Sequence, residues 1–484
     1  MNLERACIIC FLCALCSSVK LKAQVWLSDS KVLYSTEDEV PSAEDSTQLF
    51  TVKQIIVEGN RQTKPATVLR ELTFQEGGQY SLPELVRKFS EAKKQLMNTA
   101  LFHEVVVSLK SLQGYDAYVE IGVRERWYIF PFPFVKTVDR SFGEWIKEQN
   151  MDWERVNYGV KITHNNFTGR NDKLSLNFMN GYTKQLSLSY RNLILDKDQQ
   201  WTSSLGFATG KNRQLDYITT DNKRLFFKND EQYVHSFTKG FAELSYRRAI
   251  KTKHTFGIGY TSEAVPDTIL TINPQFSPHQ QKTMNYPEFY YKMYHFNVDY
   301  IPYPTKGYAA EIGLYKRGIN NQMNLWQLTT KASATWPLTN KYFLNIRTAG
   351  GIKVPFRQPY INQQFLGFND MFMQGYEYFV VNGVAGGYTK VIFSRELVNT
   401  KIRLSSERIK KLNNIPIRVF GKIYGNSGYV YNPLPGENML CNRMLYSGGV
   451  GLDIITFYDF IFRVEWSFNQ LGQNDLYLHR KNYF

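Results

Sequence analysis

The sequence predicts an all-β transmembrane barrel of about 16 antiparallel strands, an even number as in bacterial barrels, preceded by a small α/β domain. Three observations favour this fold. Apolar and polar residues alternate with a period of two through much of residues 127–484. Aromatic residues are abundant, with 32 Tyr, 33 Phe and 8 Trp, yet the mean hydropathy is only −0.38. After the first residues, no apolar run approaches the ~20 residues of a membrane-spanning helix, which excludes a helical membrane protein.

The strand-like segments of residues 127–484 each have one apolar and one polar face. They are predicted near 127–137, 156–165, 171–180, 183–192, 201–210, 236–247, 252–262, 289–301, 307–317, 324–335, 341–353, 387–398, 415–424, 443–456, 459–469 and 476–484. In KLSLNF, for example, Leu174, Leu176 and Phe178 share one face, and polar side chains lie opposite. A polar face turned toward a dry core would be very costly, whereas a water-filled lumen solvates it. A soluble β-sandwich with one solvent-exposed face is the alternative. The segments recur through residues 127–484, and such a long series of strands favours a barrel. The long link 354–386 is expected to be an extracellular or lumen-folded loop.

Residues 1–23 are predicted to be a secretory signal peptide that is cut after Ala23. Four cysteines there follow a three-residue spacing that is close to an iron–sulfur motif: Cys7, Cys10, Cys13 and Cys16. Their spacers are apolar and Arg5 precedes the run, which is typical of a secretory signal. The mature chain then keeps only Cys441 and can form no internal disulfide. The acidic residues 24–47 are predicted to form a flexible tether.

Residues 48–126 are predicted to form a compact α/β module with the order strand, helix, helix, strand, strand. FTVKQIIVEGN is rich in β-forming residues and ends at a Gly-Asn turn signal. Ser81 and Glu84 form a capping box at the start of the longer helix. Helical spacing places apolar residues on one face of that helix: Leu85, Phe89, Ala92 and Leu96. The segments FHEVVVSLK and DAYVEIGV are the last two strands.

Six motifs follow one another along the chain. The module contains VEGN, GGQYS, LFHEVVV and VEIGVRER, and the barrel contains IPYPTKGY (301–308) and MQGYEYFVVNGVAGGYTKVIFSREL (373–397). In this order they resemble the POTRA-plus-barrel proteins of the BamA/TamA type, in which the last motif is a loop that folds back into the lumen. The resemblance covers nearly the whole mature chain. It identifies residues 48–126 as a POTRA domain and residues 127–484 as the transmembrane β-barrel.

The resemblance implies a bacterial outer-membrane protein, with its POTRA domain in the periplasm, that helps to insert or assemble other outer-membrane proteins. Its partners would be unfolded outer-membrane protein clients, periplasmic chaperones or assembly lipoproteins, and outer-membrane lipid. No cofactor or nucleotide is implied. A single POTRA domain is fewer than most assembly factors of this family carry, which favours an accessory or specialised role. The main alternative is a POTRA-type secretion pore; a passive porin or adhesin and a barrel enzyme are further rivals.

Two positions depart from the family pattern. The tip of the lumen loop is usually Arg-Gly-aromatic, but here it is Gln374, Gly375 and Tyr376. The acidic partner of that Arg matches Asn426, two residues before Gly428. Because losing both charges can be nearly neutral, we expect Gln374 to hydrogen-bond Asn426 or a nearby backbone group. The alternative is that these are unrelated polar residues on separate loops.

The first barrel segment, WYIFPFPFVK, carries Pro131 and Pro133, whose missing N–H groups should face the same side of the strand. Proline within paired strands is confined to edges. We therefore hypothesise that the barrel closes weakly between this segment and the last strand, which ends at the aromatic Phe484. A client strand could pair with such an edge by β-augmentation. The alternative is that the prolines only bend the chain between module and barrel.

No pattern of a catalytic site is found. The seven His residues stand singly without zinc spacing, and the G-x-S-x-G motif is absent. The glycine-rich stretches adjoin predicted barrel strands, which favours bends or turns over phosphate loops. Paired carboxylates remain open. The net charge of +15 suits anionic lipid, and no nucleic-acid-binding motif accompanies it. The sequence therefore predicts a protein that is not an enzyme and has no metal site.

Overall fold

The computed structural model describes residues 48–137, 145–146, 150–229, 231–320, 322–368, 370–403 and 414–479. The predicted signal peptide, the predicted tether and Phe484 lie outside the described residues.

The N-terminal domain is a four-stranded sheet covered by helices. Its elements are β1 (Leu49–Glu58), α1 (Pro65–Leu69), β2 (Gln79–Ser81), α2 (Leu82–Asn98), β3 (Phe102–Gln113) and β4 (Asp116–Glu125). The sheet order is β2-β1-β4-β3, with β1 and β4 parallel. Ser81 caps α2, since its Oγ accepts a hydrogen bond from the Glu84 N–H at 3.4 Å. The predicted apolar face of α2 packs on the sheet, where Leu85, Ala92 and Leu96 are buried.

Most of the described residues after this domain form one antiparallel sheet of sixteen strands, which confirms the predicted fold class. The strands are β5 (Ile129–Thr137), β6 (Val156–Asn165), β7 (Lys173–Gly181), β8 (Thr183–Ile194), β9 (Trp201–Asn212), β12 (His235–Tyr246), β13 (Thr252–Ala264), β14 (Thr283–Val298), β15 (Gly307–Asn320), β16 (Met323–Pro337), β17 (Tyr342–Val354), β20 (Ala385–Arg403), β21 (Asn414–Tyr431), β22 (Met444–Ile455), β23 (Ile461–Asn469) and β24 (Asn474–His479). Each strand pairs with its neighbours in this order.

The sheet is rolled, because the small N-terminal domain contacts turns near both of its ends. Thr63 accepts a hydrogen bond from Asn166 in the β6–β7 turn, and Arg126 binds Asp459 in the β22–β23 turn. The outer face is apolar: Leu176 and Phe178 are 39% and 55% exposed. Polar side chains occupy the inner rows. A single curved sheet with these faces is a barrel and not a sandwich.

Shorter elements lie at the end of the barrel opposite the N-terminal domain. They are the hairpin β10 (Gln214–Thr220) and β11 (Lys223–Lys228), the helix α3 (Asp267–Ile272), and the pair β18 (Gln364–Leu366) and β19 (Val381–Asn382). The link after β17 folds into the lumen, where Met373 and Val380 are fully buried. Among the helices that the structure describes, none has the length and apolar character that a membrane crossing requires.

Candidate functional site

The tip of the lumen loop lies against the inner wall formed by β21, β22 and β23. Gln374 and Tyr376 are buried, at 1% and 3% exposure. Gly375 between them has φ +85°, and a Cβ there would lie 2.8 Å from Cβ of Ser447. Glycine is therefore required by both the left-handed backbone and the close approach of loop and wall. Gly428 serves the same approach, since a Cβ there would lie 3.1 Å from the sulfur of Met373.

The backbone of the loop tip is bound by amide side chains of the wall. Asn426 Nδ2 donates to the Gln374 carbonyl at 3.4 Å, and Asn469 Nδ2 donates to the Gly375 carbonyl at 2.6 Å. The hydroxyl of Tyr376 donates to the Tyr446 carbonyl at 3.2 Å. The structure therefore brings Gln374 and Asn426 together, but through the main chain of Gln374 and not through its side chain.

The side chain of Gln374 has a charged partner that sequence reasoning missed. Its Nε2 donates to Oε1 of Glu465 at 2.9 Å, and Glu465 is 1% exposed. The same carboxylate lies 2.5 Å from Lys422 Nζ, which also binds Asp453 at 2.6 Å. The ring of His479 lies 3.4 Å from the other oxygen of Glu465. The loop tip is thus bound to a group of largely buried ionisable side chains, which we call the wall cluster: Lys422, Asp453, Glu465 and His479.

A neutral residue at position 374 suits the wall cluster. Lys422 already supplies a cation to Glu465, so an uncharged donor adds a second hydrogen bond to the same carboxylate oxygen without adding a further desolvated cation beside Lys422 and Arg463. The sequence carried one usable signal, because Glu465 lies on the polar, lumen-facing row of FRVEWSFN. Its pairing with a loop 91 residues away could not be read from periodicity.

The first barrel strand has an edge with few hydrogen-bond donors. β5 pairs with β6 in unbroken register from Ile129↔His164 to Thr137↔Val156. Proline cannot donate, so the alternate residues of β5 make the ladder bonds, and Pro131 and Pro133 face away from β6. Within the described strands no ladder joins β5 to β24, which pairs only with β23. The described part of the seam therefore lacks the backbone bonding that joins the other neighbouring strands.

Side chains hold the base of β5 instead. Arg126 makes two hydrogen bonds with the carboxylate of Asp459, at 2.6 and 3.2 Å. The Trp127 N–H donates to the hydroxyl of Tyr458 at 3.1 Å, and the Tyr458 ring lies 5.2 Å from that of Phe130. We call this contact, made by Arg126, Trp127 and Phe130 with Tyr458 and Asp459, the base clasp. It ties the entry of β5 to the β22–β23 turn.

Two further contacts seat the N-terminal domain on the turns of the barrel. Glu71 forms a bidentate ion pair with Arg247 of the β12–β13 turn, at 2.6 and 2.8 Å. Asn98 donates to the Val298 carbonyl at 3.3 Å and accepts from the Ile301 N–H at 3.0 Å. Together with the β6–β7 contact and the base clasp, four turns bind one domain. The domain therefore lies across this end of the barrel.

Residues 50–126 match the family model of POTRA, described as "Surface antigen variable number repeat". The N-terminal domain is a POTRA domain. No curated protein matches the chain. Among solved structures, CdiB from Escherichia coli is similar with a TM-score of 0.53 and 12% identity, over 89% of this chain and 75% of that one. BamA from Haemophilus ducreyi lacking POTRA domains 1–3 matches with a TM-score of 0.46 and 16% identity, over 89% of this chain and 83% of that one.

The POTRA match and the likeness to CdiB agree with the architecture described above. The chain has the POTRA-plus-barrel fold. Among the described residues, no group of three or more His, Cys, Asp or Glu side chains is placed to hold a metal ion.

Proposed function

We propose that the protein is an outer-membrane assembly factor that inserts client barrels, in an accessory or specialised role. The observation that carries the proposal is the seam: β5 and β24 share no ladder within the described strands, directly beside the POTRA domain. An unpaired strand edge can bind an extended client segment by β-augmentation. The POTRA domain, in the periplasm, would receive unfolded clients, alone or with chaperones or assembly lipoproteins.

The lumen loop argues against the alternative of a secretion pore. Met373, Gln374 and Val380 are buried inside the barrel, and Asn382 in the same loop donates to Thr219 of β10 at 2.9 Å. A polypeptide passing through the lumen would have to displace this loop and break its buried contacts. A client that pairs at the seam needs no such displacement. The fold therefore supports lateral insertion better than passage through the lumen.

A disulfide that locks the seam tests the proposal. Each variant carries two cysteines, one in place of Phe132 or Phe134 on β5 and one in place of Asp475 or Tyr477 on β24. These four residues lie in the lumen-facing rows of their strands. In cells depleted of the native protein, the oxidised variants should lower the levels of several outer-membrane barrels, and a reductant should restore them.

The matched control is a Cys pair at Tyr315 and Gln327, which face each other in the β15–β16 ladder. Locking this closed junction should leave the outer-membrane proteome unchanged. Normal levels of all barrels with an oxidised seam would contradict the proposal. Loss of one secreted protein alone would support the secretion pore, and altered solute uptake alone would support a porin.

A further inference from the structure

A cationic pocket lies on the outer wall of the barrel at the end opposite the POTRA domain. Its volume is about 610 Å³, and it spans the ends of β5 to β9. The residues that line it are Val135, Trp153, Val156, Tyr158, Asn180, Gly181, Tyr182, Lys184, Arg213 and Tyr233. None of these described lining residues is acidic. We call it the rim pocket.

Two cations converge in the rim pocket on one aromatic ring. Lys184 Nζ lies 5.5 Å from the centre of the Tyr233 ring, and the Arg213 guanidinium lies 5.7 Å from it. A third cation, Lys211, stands opposite Lys184 in the β8–β9 ladder. None of the three forms an ion pair with a described residue. Like charges this close repel one another, and a bound anion would remove the repulsion.

Two polar atoms in the rim pocket are buried without a partner among the described residues. They are the Nε of Arg213 and the hydroxyl of Tyr233. Buried polar groups normally have a hydrogen-bond partner, and leaving one unmade is costly. Both atoms are hydrogen-bond donors in the wall of the pocket. Guanidinium and ammonium groups bind phosphate oxygens with particular strength.

The surroundings of the rim pocket place it at a membrane surface. Tyr158 on its floor points outward in the same row as Val160 and Ile162, and all three are at least 40% exposed. Val135 and Trp153 at its edge are 71% and 73% exposed. In a membrane barrel, such aromatic residues mark the level of the lipid headgroups. An anion held here would therefore lie at headgroup level, with apolar wall beneath it for acyl chains.

We propose that the rim pocket binds the phosphate group of an anionic glycolipid in the outer leaflet. Lys184 and Arg213 bind the phosphate, Lys211 adds long-range attraction, and the apolar row below holds the acyl chains. This inference rests on the outer-membrane location that belongs to the proposed function. It does not depend on insertion activity, because binding is measured on the purified protein.

The test measures binding of bisphosphorylated lipid A to the full-length protein in neutral detergent, by native mass spectrometry. Replacing Lys184 and Arg213 together by Gln should weaken binding about twenty-fivefold, at about a factor of five for each charge near the surface. Tyr233→Phe should weaken it by a smaller factor. Lys316→Gln is the matched control, since Lys316 also faces outward at the same end and lies over one aromatic ring, that of Trp326, at 5.1 Å, with Asn324 rather than a second cation beside it. The control should stay within twofold.

Dephosphorylated lipid A and inorganic phosphate complete the test. The dephosphorylated lipid should bind native protein and the double variant equally. Inorganic phosphate should compete only weakly, because it lacks acyl chains. Equal binding of bisphosphorylated lipid A by native protein and double variant would overturn the proposal, as would equal loss in the Lys316 control. Competition by micromolar inorganic phosphate would also overturn it and identify a free-phosphate site. Unchanged electrophoretic mobility of the folded variants establishes that their barrels have formed.

Discussion

The two sides of the seam are built differently. On the side of β24, the last strands carry the wall cluster, in which Lys422, Asp453 and Glu465 are buried and Glu465 binds the lumen loop through Gln374. On the side of β5, the described strand is bound by its ladder to β6 and by the base clasp at its entry. One side is thus fixed to the interior of the barrel and the other is fixed at its base. This difference indicates that opening the seam would move β5 more than β24.

The largest expected effect follows from removing the cation of the wall cluster. Lys422→Met leaves Asp453 and Glu465 buried without their shared partner, which should cost about 3–5 kcal/mol. The melting temperature of the folded barrel, followed by its shift in electrophoretic mobility, should fall strongly. Lys239→Met is the control, because Lys239 is half exposed in its pair with Glu263 and should cost under about 1 kcal/mol. Equal losses in both variants would mean that the wall cluster does not stabilise this side.

Breaking the base clasp should loosen β5 alone. Asp459→Asn weakens the two charge-assisted bonds with Arg126, at about 1.5–3 kcal/mol. Amide hydrogen exchange over residues 129–137 should become faster. Glu71→Gln, which weakens the other POTRA ion pair with Arg247, should leave exchange in β5 unchanged. If both variants loosen β5 equally, the clasp has no special hold on this strand.

Giving the β5 edge its missing donors should close the seam. Pro131→Ala with Pro133→Ala adds two N–H groups on the side away from β6, each able to contribute about 1 kcal/mol to a new ladder bond. The double variant should exchange the amides of β24 more slowly and assemble client barrels less well. Faster exchange or undiminished assembly would show that the prolines do not weaken the seam.

The smallest expected effect is the difference in coupling energy between Gln374 and its two partners, Glu465 and Asn426, measured by double-mutant cycles. Gln374→Ala removes the bond to Glu465 but keeps the carbonyl that accepts from Asn426. Its coupling with Glu465→Gln should therefore be about 1 kcal/mol, and its coupling with Asn426→Ala below about 0.5 kcal/mol. Barrel melting temperatures of the single and double variants give both values. The reverse order would place the important contact at Asn426.

The alternation of apolar and polar residues predicted the strands of the barrel, whose two faces contact lipid and lumen. All sixteen barrel strands lie at the predicted segments, because a strand between lipid and lumen must alternate apolar and polar residues. The β10–β11 hairpin, the β18–β19 pair and α3 were not predicted, since segments beyond the membrane are free of that constraint. β14 begins at Thr283, ahead of the predicted 289, for the same reason. In the POTRA domain, β2 was not predicted, because its three residues are too few to show the alternation of a strand.

The site was predicted less completely than the fold. The loop tip lies against Asn426 through the carbonyl of Gln374, and the role of these two residues stays a prediction. The contact of Glu465 with Gln374 and the contacts of the base clasp join residues that lie far apart in the chain. Such pairs cannot be predicted from a single sequence. Asp459 is separated from Arg126 by 333 positions. The functional roles of the seam and of the loop tip stay predictions until the variants above are measured.

The prolines of β5 have a consequence for crowding in the membrane. Two copies of an ordinary unpaired edge strand can pair with each other, because the N–H groups of each donate hydrogen bonds to the carbonyl oxygens of the other. Where Pro131 and Pro133 of one copy met the same edge of another, carbonyl oxygens would face proline nitrogens that carry no hydrogen, and the ladder would not form. The β5 edge therefore cannot pair with the β5 edge of a second copy, but it can still pair with a different strand that supplies N–H donors.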